Sequence, residues 1–356
     1  MRLRLPGLAI ASIVCAYANA ASPFKVVDLG MLPNGMAASA AAINNQSVAA
    51  GQCIFQNGSG NYVEHAVIFK NGQVYDVVDP FYPNEISTAT GVDRFGNVVG
   101  IHEQTGFVIR GGQLFDPNTI PGTSWSTAAR INSNGIFVGQ VCIQQSPGVY
   151  IYHGYEFVNG QMADFNGLIG GDFSQATAVN DSGEVVGYGR DALGRWINFL
   201  ITGDPNSPLT QVFNLGTLGG ENAIPYSIDS RGDVAGGSYL PNNVYHPFLY
   251  RNGHMTDLGI LPEAQSGYAT GVDTSGVVVG NDQPSGYAGS IPFAYVNGKL
   301  SNLNSLIPAN SGWTLITAAD INEKGEIVGS AYLNGAQHAY KLVRNLNPIT
   351  GTASGH

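Results

Sequence analysis

An all-β ring, a β-propeller of seven four-stranded blades, is the fold this sequence predicts, and three observations predict it. A short hairpin motif recurs seven times in one register, a second hairpin follows it in most copies, and one chain end lacks a strand that the other carries.

The first hairpin is seen in "AVNDSGEVVGYG", residues 178–189. Taking the Ile or Val before its turn as position 0 gives Ile43, Val92, Ile131, Val179, Ile228, Val272 and Ile321. Position 1 is always Asn or Asp: Asn44, Asp93, Asn132, Asn180, Asp229, Asp273 and Asn322. Position 4 is Gly in six units and Ser47 in the first, and position 8 is always Gly, from Gly51 to Gly329. An Asx that opens a turn and a Gly that closes it in the left-handed region fit a three-residue hairpin loop. The Asx residues thus have a structural reason to be there, and "NDSGE" or "DSRGD" carries too few carboxylates for a calcium loop.

The second hairpin turns at Asn-Gly or a near equivalent, as in "HAVIFKNGQVYD" (65–76), "HGYEFVNGQMAD" (153–164), "HPFLYRNGHMTDLG" (246–259) and "IPFAYVNGKLSNL" (291–303). Unit two has Gly111-Gly112 there, and unit four a longer connection that contains Pro. Each unit is therefore four strands, a to d, over about 40 to 50 residues. One such sheet cannot bury both faces alone, so the units are expected to pack radially. Small residues such as Ala40, Ala89, Ala128, Ala176, Ala269 and Ala318 suit a crowded innermost strand a.

Unit seven has strands a, b and c ("TAADIN", "GEIVGSAY", "QHAYKLV") and no d, whereas "FKVVDLG", residues 24–30, is a d strand with no unit before it. Pairing the two closes the ring and removes the open edges that invite aggregation. The expected domains are a leader at 1–20, the propeller at 21–345 and a polar tail at 346–356. The leader reading rests on Arg2 and Arg4, the apolar run Leu8 to Ala16 and the Ala18-Asn19-Ala20 cleavage pattern. It predicts a secreted product, periplasmic or extracellular. Val14, where a lipid anchor on Cys15 would want a small residue, argues against a lipoprotein. No later stretch reaches the ~18 apolar residues of a membrane helix. A net charge of −10 with 15 Lys and Arg makes nucleic acid an unsuitable partner. A monomer is expected.

These motifs, an Ile-Asn-x-x-Gly-x-Val-Val-Gly hairpin and degenerate His-Ala-Phe tripeptides (His65-Ala66-Val67, His246-Pro247-Phe248, His338-Ala339-Tyr340), resemble the HAF-type extracellular repeat family of secreted bacterial proteins. The resemblance spans about residues 24–343, though units two, four and six lack the His. It implies secretion and repeat architecture, and no reaction.

No nucleophile elbow, His-Glu-x-x-His or phosphate loop is present, so no cofactor, metal or enzyme class is predicted. His65, His153, His246 and His338 occupy one position in different units, which favours local hydrogen bonding over a shared ion. Cys53 and Cys142 fall on b strands of units one and three, too far apart for a disulfide.

The a–b and most c–d turns are short and share one face. The b–c and d–a connections share the other and read as long and variable, as in residues 54–64, 77–87, 142–152, 281–290 and 304–313. Variable loops on a rigid scaffold are where binding residues lie. Trp125, Trp196 and Trp313 fall in or beside them with Tyr62, Tyr82, Tyr152, Tyr268 and Tyr287, among Asn and Gln. Such aromatics either cap blades or stack sugar rings or protein side chains. Position −1 is small in five units but is Arg130 in unit three and Asp320 in unit seven, on strands expected to line the channel.

Three functions are open. The first is a noncatalytic binding scaffold for a glycan or envelope protein on the loop face. The second is a polysaccharide hydrolase or lyase, which needs two carboxylates about 5 to 9.5 Å apart in a glycosidase. Asp172, Glu221, Glu263 and Asp320 are the carboxylates placed near that face, with Asp320 and Glu221 the catalytic candidates. The third is a structural part of a surface assembly.

Overall fold

The structure, a computed structural model, describes residues 22–345 apart from 58, 79–80, 82–84, 116–121, 159 and 287–288. The expected leader and tail lie outside the described residues.

The chain is all-β. In unit one, Gly35–Ile43, Ala49–Gln56, Tyr62–Lys70 and Gln73–Asp76 pair antiparallel in sequence order. The same a-b-c-d order recurs from Ser87–Val92 of unit two to Lys299–Asn302 of unit six. In unit seven, strand a is broken into Trp313–Leu315 and Asp320–Ile321, which pair with Ile327–Leu333, which pairs with Ala336–Arg344. The outer partner of that last strand is Phe24–Gly30, antiparallel from Phe24↔Arg344 to Gly30↔Ala339.

The Asx turns form as the repeat predicts. In every unit the position-1 side chain accepts the backbone N–H groups of the residues two and four further on, as Asn44 does from Gln46 and Val48, both at 2.9 Å. Position 4 has positive φ throughout, 72° to 86° in the six Gly and 64° in Ser47. Where position 1 is Asn, its amide also reaches the next unit: Asn44 donates to the Asp93 carbonyl, Asn132 to Asn180 and Asn180 to Asp229, at 2.7 to 2.9 Å. Asn322 donates to the carbonyl of Asn44 at 2.9 Å, from unit seven to unit one. An Asp has no N–H to give, so units two, five and six lack this stitch.

Position 8 must be Gly because strand a passes over it. A Cβ on Gly187 would lie 2.1 Å from the Gln175 carbonyl oxygen and 2.6 Å from the Phe199 ring, and the other six units repeat the first clash at 2.0 to 2.2 Å. In units two to seven an aromatic ring two residues after the His position comes up against that Gly, as Phe107 does at Gly100 and Tyr340 at Gly329.

The His residues bond locally, as expected. His65 Nδ1 meets Asp76 at 2.5 Å, His153 meets Asp164 at 2.6 Å and His246 meets Asp257 at 2.9 Å, each eleven residues on in its own d strand. His338 makes the equivalent contact to Asp28, 3.0 Å away at the other end of the chain. Residues 24–30 thus stand where a d strand of unit seven belongs, in register and in side-chain chemistry. Cys53 and Cys142 are buried free thiols.

The core is divided into clusters between consecutive units. One packs Ala50, Ala66 and Val78 of unit one on Ala89, Val98 and Phe107 of unit two, and another packs Ala38, Ala49 and Phe69 of unit one on Val328 and Ala339 of unit seven. Glu156 is a buried carboxyl standing where units one, two, four, five and six have Ile68, Val108, Leu200, Leu249 and Ala294; unit seven has Lys341, which is paired with Glu326. Burial, with a smaller push from Asp204, raises the Glu156 carboxyl from 4.5 to about 7. The folded state therefore holds this proton more tightly than the unfolded chain does, and its contribution to stability is lost as pH rises from 4.5 through 7. Denaturant titrations should find Glu156→Gln close to wild type at pH 4 and more stable by up to about 3 kcal/mol at pH 8. A difference that does not change with pH would contradict this.

Two expectations about the connections need correction. Residues 142–152 are not a loop: strands Phe137–Ser146 and Val149–Val158 run through them and turn at Pro147-Gly148. The b–c connections of units two and seven are likewise two-residue turns, at Glu103-Gln104 and Asn334-Gly335. The d–a connections do vary, and two carry short helices, Asn166–Ile169 and the 3-10 turn Leu303–Leu306.

Candidate functional site

The loop face holds a depression of about 500 Å³ between units three and four. Strand a of unit four, Gly170–Val179, brings Asp172 to its rim at the strand's first turn out of the d–a connection. Strand b, Val185–Asp191, ends there and delivers Arg190 and Asp191. Unit three contributes Gln145, Ile151 and His153 from its extended hairpin, and the short helix contributes Asn166. The lining is thus two carboxylates, two amides, one guanidinium and one imidazole around glycines.

An aromatic ladder adjoins it through Arg190, without its rings lining the depression. Tyr152 and Phe173 have ring centroids 6.4 Å apart, Phe173 stands edge-on to Trp196 at 5.9 Å, and Tyr188 lies 5.8 Å from Phe173 and 6.3 Å from Trp196. The Arg190 guanidinium carbon sits 4.8 Å from the centre of the Trp196 ring, a cation–π contact that fixes both groups at the rim. Asp191 is held ionised, below the usual carboxylate range, chiefly by the Arg195 side chain bonded to it. A half-buried indole with a fixed cation, carboxylates and amides can stack an apolar ring face and bond hydroxyls at its edge.

The other cavities lie on the axis. On the turn side, about 190 Å³ is enclosed by the strand-a ends and Asx turns, with Asn44, Asp93, Asn132, Asn180, Asp320 and Asn322 in its wall. On the loop side of Arg130, a cavity of about 260 Å³ is lined by Gln175, Thr177, Tyr188, Ile224, Tyr226 and Thr270. Arg130 borders both. Asp320 borders the turn-side cavity alone.

Asp320 is not at the loop face, however, and this corrects its placement. Position −1 is one residue from the a–b turn, and Asp320 Oδ2 accepts the Ile43 N–H at 3.0 Å while Oδ1 accepts the Ile321 N–H at 2.9 Å. Burial raises its carboxyl, with Arg130 acting in the opposite direction. Glu221 is exposed beside the start of Ala223–Ile228, at the other end of its strand. A six-residue strand is about 20 Å long, so Asp320 and Glu221 do not make a glycosidase pair. Glu263 is exposed on a d–a connection and Asp172 is exposed at the start of strand a of unit four.

The three Trp residues do not form one patch. Only Trp196 joins the ladder. Trp125 is half-buried on Thr123–Ile131 opposite Cys142. Trp313 packs on the core of unit seven, edge-on to His338 at 5.9 Å. Tyr268 lies against Tyr226 at 5.5 Å, and burial raises both phenols. Tyr82 and Tyr287 lie outside the described residues. Phe173, Tyr188 and Arg190 were not foreseen. Position 9 could have flagged Tyr188: it is Gln, Ile, Gln, Gly, Asn and Ser in the other units.

No family model matches the chain, and no curated protein matches it. Among solved structures it is similar to the β-propeller domain of the Trilobed protease from Pyrococcus furiosus, described as having an open velcro topology, at 9% identity over 88% of this chain and 94% of that one, TM-score 0.54. It is also similar to TolB from Acinetobacter baumannii, at 10% identity over 84% of this chain and 64% of that one, TM-score 0.46. A Trypanosoma rangeli sialidase in complex with sialic acid aligns at 10% identity over 91% of this chain and 58% of that one, TM-score 0.42. The likeness to the first of these, together with the strand order, shows that the fold is a β-propeller.

Proposed function

We propose that the chain is a secreted, seven-bladed β-propeller of the HAF-type repeat class, closed by residues 24–30 as the outer strand of the seventh blade, and that it is a noncatalytic binding module for an extracellular glycan. The depression beside Trp196 carries this reading. It lies on the face where connections vary, and its amides and carboxylates, with the Trp196 ring held at the rim by Arg190, match a ring with apolar faces and a hydroxyl rim. The opposite face is built from near-identical Asx and Asn-Gly turns, which leave little to specify a partner.

Affinity electrophoresis through gels containing neutral or acidic polysaccharides tests the reading. One of them should retard the wild type, and Trp196→Ala should weaken that interaction by about 2 kcal/mol or more, with an unchanged circular dichroism spectrum. Asn252→Ser, in a turn of the opposite face, should bind normally. Retention of binding by the Trp196 variant together with its loss in the turn variant would place the ligand on the other face. An envelope protein pulled down through the same Trp196 surface, with no polysaccharide retarding the chain, would replace the glycan as ligand.

A further inference from the structure

Arg130 is held in place by backbone carbonyls and not by an ion pair. Arg195 and Arg251 are ion-paired with Asp191 and Asp233. Arg130 has no carboxylate within 4.0 Å among the described residues. Its Nη1 donates to the carbonyls of Thr90, at 2.5 Å, and Ala129, at 3.1 Å, which fixes the guanidinium plane across the channel. Nε and Nη2 have no hydrogen-bond partner among the described residues, and neither is a buried unpartnered atom, so both are left to the cavities that Arg130 borders. Asp320, the nearest candidate for neutralising it, has each oxygen engaged by a backbone N–H.

The chamber on the loop side adds the rest of a site. Tyr188 donates to Gln175 Oε1 at 2.8 Å, which orients the Gln175 amide so that its N–H groups remain to be used. Thr177 and Thr270 donate to the carbonyls of Pro225 and Ala318, so their hydroxyl oxygens remain as acceptors. Tyr226 is braced by Tyr268 and gives the chamber an aromatic wall. An unpaired guanidinium at the floor, amide and hydroxyl groups around the side and phenol rings as walls together specify an anionic group on a hydroxylated ring.

We propose that this axial chamber binds one uronate residue, its carboxylate on the free N–H groups of Arg130 and its ring among Tyr226, Tyr188 and Gln175. The chamber's volume of about 260 Å³ takes one sugar ring, so the residue is either a free uronic acid or the end of an acidic polysaccharide. The chamber and the loop-face depression share no lining residue; Tyr188, a wall of the chamber, touches the depression only through Trp196.

Titration calorimetry with galacturonate, galactose and a galacturonate trimer decides. The wild type should bind galacturonate at least about tenfold more tightly than galactose, as a charge-assisted guanidinium pair would require. Arg130→Gln should reduce that preference to about twofold or less, and Trp196→Ala should leave it intact. Should Arg130→Gln fold poorly, Gln175→Ala, which does not touch Thr90 or Ala129, should weaken galacturonate about fivefold. Trimer binding as tight as monomer identifies a chain end as the source; rejection of the trimer identifies the free acid. A wild type that binds galactose and galacturonate alike, or neither, overturns the proposal, as does an Arg130→Gln protein that keeps the preference. Loss of polysaccharide retardation in Trp196→Ala with galacturonate binding intact bears on the loop face alone.

Discussion

Deleting residues 22–30 is expected to cost the protein most of its stability and turn it into a self-associating species. Phe24 is buried in the cluster between units six and seven with Val26 packed against it, and Asp28 faces His338. Burying Phe and Val side chains stabilises by about 1.5 to 3 kcal/mol each, so the strand contributes on the order of 5 kcal/mol before its ladder hydrogen bonds are counted. Its removal also bares the edge of Ala336–Arg344, an unpaired template for another chain. Thermal melts should fall by well over 10 °C, with dimers or larger species on gel filtration. Adding a synthetic peptide of residues 22–32 should restore both the midpoint and the monomer. A deletion variant that melts like the wild type and stays monomeric would mean that the fold does not depend on this strand.

Gly187→Ala should be nearly as damaging, although it adds a single methyl group. The added carbon would sit 2.1 Å from a backbone oxygen of strand a, so relief requires moving the innermost strand away from its neighbour. Strand a is also where Thr177 reaches the Pro225 carbonyl of unit five at 2.7 Å, so such a shift loosens the contact between units. Overpacking of this kind costs about 3 kcal/mol or more. Gly253→Ala is the control: Gly253 has φ +80° and nothing within 4 Å of the place a Cβ would take, so only the backbone penalty of about 1 kcal/mol applies. Equal losses in urea titrations of the two variants would show that the close approach of strands a and b does not explain the repeat glycine.

The repeat was legible because its turns allow few residues. A turn that needs one side-chain acceptor for two N–H groups and one positive φ leaves Asx and Gly marks at fixed spacing, and even Ser47 keeps that geometry. The strand at residues 24–30 was legible for the same reason, since Asp28 carries the d-strand mark without a unit in front of it. The site was less legible. Pro147-Gly148 reads as the middle of a loop, yet it is only the tip of a hairpin whose strands pair as far as Ser146 and Val149. The contact of Arg190 with Trp196 joins residues on either side of a b–c turn, and the ladder joins two units, so neither has a period to reveal it. Asp320 reads as a loop-face carboxylate only when its level along the strand is ignored; position −1, one residue from the turn, already fixes it at the other end of the channel.

Hydroxyl-radical footprinting of the chain with the polysaccharide that retards it tests the binding account most directly. Protection is expected at Ile151 and His153 in the lining of the loop-face depression and at Trp196, held over Arg190 at its rim, with Phe95, exposed in an Asx turn of the other face, remaining as reactive as in the free protein. Protection of Phe95 with Trp196 still fully reactive would contradict it.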